Sequence, residues 1–519
     1  MQRTPVVLLG FIAALLAASA CTGDEGEEPA KSAAATSGDT FPTDTANPPC
    51  ALPGVNRLCS FIPHDVIVHL LPGYAGLVPR DQKKFDVFSW QSFVALNWPA
   101  GPDGAPLQSF AGDPGAPRVW ETWDDAIAVF DPSGARSPCT AGPGQKFLGQ
   151  MAKNGQVVDP GGDFDEAVGG PLADRNVNFV LYEKKMSPEE VEYVRAHRLN
   201  TPAGQFAADS ADTALVFRPG FYANLDSASG GQVGSIEVKA AWRILQPERG
   251  DDTTRYYTRR GVVYVPARNS ATGRAMCLNA QVGLVGMHIV HKTKTFFGDW
   301  IWTTFEHEDN APTCTGTEAG GQCGAGRTWS FYNPACAGCT PNDSLRLAGT
   351  GDTTFLWDSV PPYARRYAIQ GRYGNQITRT QAVYPFTDSI NQVWVQRVGN
   401  TVWRHYRLIG TQWMSGDGGA DLVPVPEVLR NTVLESYIPQ NSSCLGCHQY
   451  ARTLPLPDTS ARTVSADFSF LLGMARHDTA SMLPLFSLQR GVPVEQAGRD
   501  PTTRILPVPI HRPPPRRQR

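Results

Sequence analysis

The chain has 519 residues, including 50 Gly and 43 Pro, and only 18 % of its residues are charged. This composition is richer in turn-forming residues and poorer in charge than that of an average globular protein, which argues against a helical bundle or a coiled coil and favours a loop-rich fold with many short strands. The formal net charge of −3 provides no broad basic surface, so nucleic acid is not an expected partner.

The N-terminal residues have the pattern of an export signal. An apolar stretch, Val6–Ala20, follows the early charge of Arg3 and ends in small residues directly before Cys21. This arrangement resembles the lipobox of bacterial lipoproteins, although Ala18 stands where Leu is usual. The resemblance implies a lipoprotein signal peptide over residues 1–20 and a lipid on Cys21 that anchors the protein to a membrane. A plain signal peptide cut near Ala20 is the alternative.

The segment after the signal indicates the location of the protein. Thr22, rather than Asp, follows the lipobox cysteine, which resembles lipoproteins sent to the outer membrane. We therefore expect an exported bacterial lipoprotein that faces the periplasm or the cell surface. Residues 21–55 are mostly small and polar, with too little apolar surface to bury, and predict a flexible tether.

Eleven cysteines agree with export into an oxidising compartment. Cys21 is set aside for the lipid and the pair Cys444 and Cys447 for the motif described below. We expect disulfides among the remaining eight, without assigning the pairs: Cys50, Cys59, Cys139, Cys277, Cys314, Cys323, Cys336 and Cys339. The last four lie in a Gly-rich loop, where a zinc site is the alternative.

Residues 56–422 predict a large α+β domain. Helical periodicity marks residues 81–98 and 120–130, and a capping box starts a further helix at Ser187. The strand candidates, which short loops join in an antiparallel manner, are residues 236–244, 262–265, 281–291 and 300–306, and a hairpin of 393–398 with 402–408 around Gly399-Asn400.

Residues 423–490 predict a small helical module. One helix begins at Pro426 and ends at Pro439, and a second begins near Ser465. Residues 491–519 predict a disordered basic tail. The expected fold is therefore α+β, with a large, mainly antiparallel, sheet-rich domain that has several helices and is followed by this module.

Between the two predicted helices lies Ser443-Cys444-Leu445-Gly446-Cys447-His448, which contains the C-x-x-C-H signature of covalent haem attachment. Two thiols at this spacing reach the two vinyl groups of a porphyrin, and the next residue places an imidazole under the iron. Gly446 keeps the turn slim. The alternatives are a redox dithiol, a disulfide or half of a zinc site. Cys339 is followed by Thr340 rather than His, so Cys336 and Cys339 do not predict a second haem.

The motif makes the chain resemble the c-type cytochromes. Five further stretches resemble large, exported bacterial proteins of the cytochrome c family that carry one C-terminal haem motif: Trp90–Trp98, Glu237–Trp242, Met287–Thr293, Trp302–His307 and Asp467–Leu472. The resemblance implies one covalent haem c, held by Cys444 and Cys447, with His448 as the proximal iron ligand. It implies no particular substrate.

The residue on the other side of the iron decides between a closed electron carrier and an open reaction site. Met482, in a Met-Leu-Pro loop, is the preferred candidate for the sixth ligand. Met474 and His477 are the other candidates, and the helical spacing of Met474 also fits core packing. A ligand from the large domain, or none, remains open.

A second group of residues has the imidazoles and carboxylates that a metal site could use: His288, His291, Glu306, His307, Glu308 and Asp309. His288 and His291 are three residues apart on a predicted strand, so they point to opposite faces. We therefore favour structural hydrogen bonds or exposure at the surface for this group.

These observations predict an exported mono-haem c-type cytochrome that passes electrons to or from a redox partner protein. Two alternatives remain. The first is a haem-dependent oxidoreductase of the peroxidase or oxygenase type, with its substrate site in the large domain. The second is a haem-based binding or sensory lipoprotein. No Ser-His-Asp signature, phosphate-binding Gly-rich loop or H-E-x-x-H zinc helix is present in the sequence.

Overall fold

One nine-stranded sheet organises the part of the chain that this computed structural model describes. The signal peptide, Cys21, the tether, the basic tail, and the candidate ligands Met482 and His477 lie outside the described residues. The structure describes residues 58–66, 82–130, 139–148, 171–210, 215–224, 229–294, 300–314, 323–336, 338–343, 356–365, 372–415, 423–437, 442–453 and 464–475.

Helices and strands alternate irregularly along the chain. The helices are α1 (Gln82–Leu96), α2 (Ala126–Phe130), α3 (Pro188–Ala196), α4 (Pro202–Ser210), α5 (Pro385–Arg397) and α6 (Cys444–His448). The strands are β1 (Asp124–Asp125), β2 (Gln145–Leu148), β3 (Leu181–Met186), β4 (Ile236–Ile244), β5 (Thr258–Val265), β6 (Met276–Lys292), β7 (Trp300–His307), β8 (Leu356–Trp357), β9 (Ala364–Arg365), β10 (Tyr406–Ser415) and β11 (Val423–Val425).

The large sheet is mainly antiparallel, as the sequence predicts. Its strand order is β1-β3-β4-β6-β7-β10-β11, and β5 pairs with both β6 and β2. The β2–β5 pair is parallel, and the other pairs of this sheet are antiparallel. The α+β class is therefore confirmed, as are the strands predicted at 236–244, 262–265, 281–291 and 300–306.

The first face of the sheet is covered by aromatic side chains of α1 and α5. Phe93 of α1 stacks on Phe305 of β7 with ring centroids 4.0 Å apart, and Trp90 lies parallel to Trp394 of α5 at 5.9 Å. Ile236 and alternate residues of β4 belong to the same buried cluster. Since successive side chains of a strand point to opposite faces, Glu237 and every second residue after it in β4 point to the second face.

The second face is covered by the C-terminal segments 423–437, 442–453 and 464–475. Leu445, Leu472 and Met474 form one buried cluster with Val290 and Trp302 of the sheet. Further along the same face, Val433 and Leu434 join a separate cluster that contains residues of β3, β4 and β6. The C-x-x-C-H motif therefore lies on the opposite side of the sheet from α1.

Three local predictions are wrong. The predicted hairpin around Gly399 is the helix α5, followed by a 3-10 turn at Val402–His405. The valines in this segment favour a strand, but the positions that pack inward, Asn391, Trp394 and Val398 among them, recur at helical spacing. The tertiary contact between Trp394 and Trp90 therefore prevails over local propensity.

The helix predicted from Pro426 is also absent from the described residues 423–437, which form turns. Asn431 donates its side-chain Nδ2 to Thr304 Oγ1 at 2.8 Å, and Thr432 donates its backbone N to Glu306 Oε1 at 2.6 Å. Bonds of this kind to the sheet compete with helical hydrogen bonds. The helix predicted near Ser465 is reduced to a 3-10 turn, Phe470–Met474.

The disulfide prediction is confirmed for three pairs, Cys139–Cys277, Cys314–Cys323 and Cys336–Cys339. Cys59 is disulfide-bonded as well. The four cysteines of the Gly-rich loop are therefore paired with one another, which argues against the zinc alternative for this loop.

Candidate functional site

The C-x-x-C-H motif forms a single capped turn of helix, α6, that is attached to the sheet. The Oγ of Ser443 accepts a hydrogen bond from the backbone N of Gly446 at 3.1 Å, which caps the turn. Gln412 of β10 accepts a hydrogen bond from Leu445 N at 2.9 Å through its Oε1. A Cβ on Gly446 would come within 3.0 Å of the Ser443 side chain, so glycine suits the turn. The motif is thus held by a side chain of the sheet.

The imidazole of His448 is fixed by a backbone acceptor. Its Nδ1 lies 2.9 Å from the carbonyl oxygen of Phe468, twenty residues further along the chain. Because a carbonyl only accepts, Nδ1 carries the proton and the lone pair of the neutral ring is on Nε2. This arrangement is typical of histidines that bind a metal through the other ring nitrogen.

Two aromatic rings surround the same imidazole. The ring centroid of Trp302 lies 4.1 Å from that of His448. The ring of Phe470 is nearly edge-on to the imidazole, with centroids 4.8 Å apart. Trp302 is only 4 % exposed, and its Nε1 finds no hydrogen-bond acceptor among the described residues. A buried donor without an acceptor fits a site that would also hold a group with acceptor atoms. The carboxylates of a haem would supply such atoms.

The two cysteines of the motif differ from the other cysteines of the described chain. Cys444 and Cys447 are thiols, whereas Cys336 and Cys339, with the same spacing, are joined in a disulfide. Burial raises the pKa of the Cys444 thiol well above its ordinary value, and the nearby carboxylate of Glu435 raises it further. The attacking thiol of a redox dithiol has a lowered pKa, so the environment of Cys444 does not suit that role.

Taken together, these residues fit a covalently bound haem. Cys444 and Cys447 supply two thiols on one turn, and His448 supplies an imidazole whose Nδ1 is already occupied by Phe468. The motif residues were identified from the sequence. The partners Phe468, Trp302 and Gln412 were not, although Trp302 and Phe468 lie in stretches that carry the cytochrome resemblance.

Two buried carboxyls lie behind the turn that contains Phe468. Glu190 of α3 is fully buried, and the carboxyl of Glu237 of β4 faces it. Burial and this mutual repulsion raise the pKa of Glu190 well above its ordinary value, and burial also raises the pKa of Glu237. The pair therefore holds a proton at neutral pH. No sequence pattern indicated it, because the two residues are 47 positions apart.

The histidines considered as a metal site are separated by the sheet. His288 Nε2 lies 2.8 Å from Glu435 Oε1 on the second face, and His291 Nε2 lies 2.6 Å from the carbonyl of Val233. His307 contacts the carbonyl of Arg255 at 2.9 Å. Within the described ranges, three or more His, Cys, Asp or Glu side chains are nowhere gathered as a metal site requires.

Of the candidates for the sixth iron ligand, only Met474 lies among the described residues. It ends the 3-10 turn Phe470–Met474 and is 1 % exposed within the cluster that also contains Phe130 of α2. This environment is that of a packed core side chain.

Comparisons with protein-family models, with curated proteins and with solved structures find no match to this chain. Among the described residues, none of the helices is both long enough and apolar enough to cross a membrane.

Proposed function

We propose that the protein is an exported mono-haem c-type cytochrome that transfers electrons. The single observation that carries the proposal is the hydrogen bond from His448 Nδ1 to Phe468 O, which orients an imidazole beside two thiols, Cys444 and Cys447, on the same helical turn. Haem c, when bound there, supplies reversible one-electron oxidation and reduction of its iron.

Each residue of the site has a separate task. Cys444 and Cys447 would hold a haem through two thioethers, and His448 would offer Nε2 to its iron. Phe468 keeps the proton on Nδ1 and fixes the orientation of the ring. Leu445, 2 % exposed, anchors the turn in the core.

Exposure at the motif supports an electron-transfer role. Cys447 is exposed, whereas Cys444 is half-buried. The attachment edge of the haem would therefore lie near the protein surface, where a redox partner protein can approach. Residues 423–490 form the cytochrome-like module in this proposal, residues 56–422 form the large domain, and a lipid on Cys21 holds both at the outer membrane.

The decisive experiment is a test of covalent attachment. The protein is expressed with the haem-attachment machinery, extracted with acid and acetone, and separated by denaturing electrophoresis with a stain for haem peroxidase activity. We expect the haem to stay with the chain. Cys444→Ala and Cys447→Ala should each weaken or abolish this staining.

The matched control is the other C-x-x-C pair. Cys336→Ala together with Cys339→Ala removes two cysteines at the same spacing and should leave the haem stain unchanged. Haem that extracts freely from the wild-type protein would rule out the c-type assignment.

A further inference from the structure

Resting on the proposed haem attachment, we propose that Asp467 is a positioning residue for the iron ligand His448. Through its ion pair with Lys292 it holds the carbonyl of Phe468 against His448 Nδ1. By this route the large sheet sets the orientation and the basicity of the imidazole that binds the iron.

The first observation is the backbone of the turn. Asp467 has φ of +49° and Phe468 has φ of +68°, so two consecutive residues other than glycine adopt the left-handed conformation. A Cβ makes this region unfavourable, and such residues persist only where surrounding contacts hold them. The carbonyl that accepts from His448 belongs to the second of these two residues.

The second observation is the set of contacts that hold the turn. Lys292 Nζ lies 2.7 Å from Asp467 Oδ1, and the backbone N of Phe217 donates to Oδ2 at 2.8 Å. Trp300 Nε1 donates to the carbonyl oxygen of Asp467 at 2.6 Å. Three anchors therefore converge on one residue.

Two of the three anchors come from paired strands of the sheet. Lys292 is the last residue of β6 and Trp300 the first of β7, and the two are directly paired across the sheet. Lys292 is 2 % exposed and Asp467 is 9 % exposed, so the ion pair is shielded from water. Removing one partner leaves the other charge buried and uncompensated, which displaces the turn.

The chemical consequence falls on Nε2 of His448. A histidine that donates its Nδ1 proton to a well-placed acceptor is a more basic ligand through its other nitrogen. A more basic ligand stabilises the ferric iron relative to the ferrous iron and lowers the reduction potential. Displacing the Phe468 carbonyl should therefore raise the potential.

The test is a redox titration of the haem-loaded protein, followed by its visible spectrum. Asp467→Asn keeps the shape of the side chain and removes its charge. Trp300→Phe removes one anchor and keeps most of the ring. We expect both variants to retain covalent haem and to shift the potential upward, with the larger shift for Asp467→Asn. The visible absorption bands of the ferric haem should also shift, and the shift should be larger for Asp467→Asn than for Trp300→Phe.

The matched control is a buried ion pair on the other side of the fold. Lys146 Nζ lies 2.7 Å from Glu121 Oε1, with both side chains buried. Glu121→Gln should lower the stability of the protein without a change in potential. Unchanged potentials in Asp467→Asn and Trp300→Phe, with haem attached, would overturn the positioning role alone.

Two further outcomes are separated by the same measurements. Wild-type protein without covalent haem would refute the proposed function rather than the role of Asp467. If Asp467→Asn does not fold, two other measurements test the positioning role. They are the potential of Trp300→Phe and the exchange rate of the His448 Nδ1 proton in the wild type. Slow exchange supports the bond to Phe468, and exchange as fast as in an exposed histidine contradicts it.

Discussion

Replacing two methionines separately distinguishes a packing residue from an iron ligand. Met474 is 1 % exposed in the cluster beneath the haem motif. Met474→Ala removes a buried side chain and should lower the free energy of unfolding by about 2–5 kcal/mol, with the spread set by how far the cavity collapses. Because we assign Met474 to packing, the spectrum of the ferric haem should stay the same.

Met482→Ala should behave in the opposite way. We expect the iron to lose its sixth ligand, to become high-spin and to bind carbon monoxide in the ferrous state, whereas the wild-type protein should resist carbon monoxide. The assay combines ferric and ferrous spectra, with and without carbon monoxide, with guanidinium unfolding followed by tryptophan fluorescence.

Met186 offers the control for the first variant. It is fully buried in the same cluster and lies on β3. Met186→Ala should lose a comparable free energy of unfolding with an unchanged spectrum. The reasoning is refuted if Met474→Ala turns the haem high-spin while Met482→Ala does not. A wild-type protein that is already high-spin and binds carbon monoxide at once would favour the enzyme or sensor alternatives.

Three further predictions concern the rest of the chain. Burial raises the pKa of Asp86 from 3.8 to about 6, so this carboxyl stabilises the fold below pH 3.8, and up to about 3 kcal/mol of that stability is lost as the pH rises through 6. The free energy of unfolding of Asp86→Asn should lack this loss between pH 4 and pH 8. A substitution that changes the free energy of unfolding by the same amount at both pH values would contradict the prediction. Ser443→Ala removes the cap of the haem turn and should lower the free energy of unfolding by about 1 kcal/mol with haem still attached, whereas loss of the haem would mean that the cap is needed for maturation. Cys21→Ser should leave an unprocessed precursor, and the wild-type protein should partition into detergent. Recovery of the wild type wholly in the soluble periplasmic fraction would favour the plain signal peptide.

The sequence by itself determined the features that depend on local spacing. Alternation of apolar residues predicted β4, because successive side chains of a strand point to opposite faces and the pattern repeats every two residues. The predicted cap at Ser187 was confirmed. It is also a local feature, because Ser187 accepts a hydrogen bond from a residue only three positions away. The C-x-x-C-H motif is equally local, and the role of its residues stays a prediction.

Only the tertiary structure decided what these local features contact. The carbonyl that orients His448 is 20 residues away, and Gln412, which holds Leu445, is 33 residues away on strand β10. The segment that forms α5 shows that local propensity alone can mislead. Its valines favour a strand, but the packing of Trp394 on Trp90 stabilises a helix. Contacts between distant residues leave no periodic trace in the sequence, because the chain connects them only after it has folded.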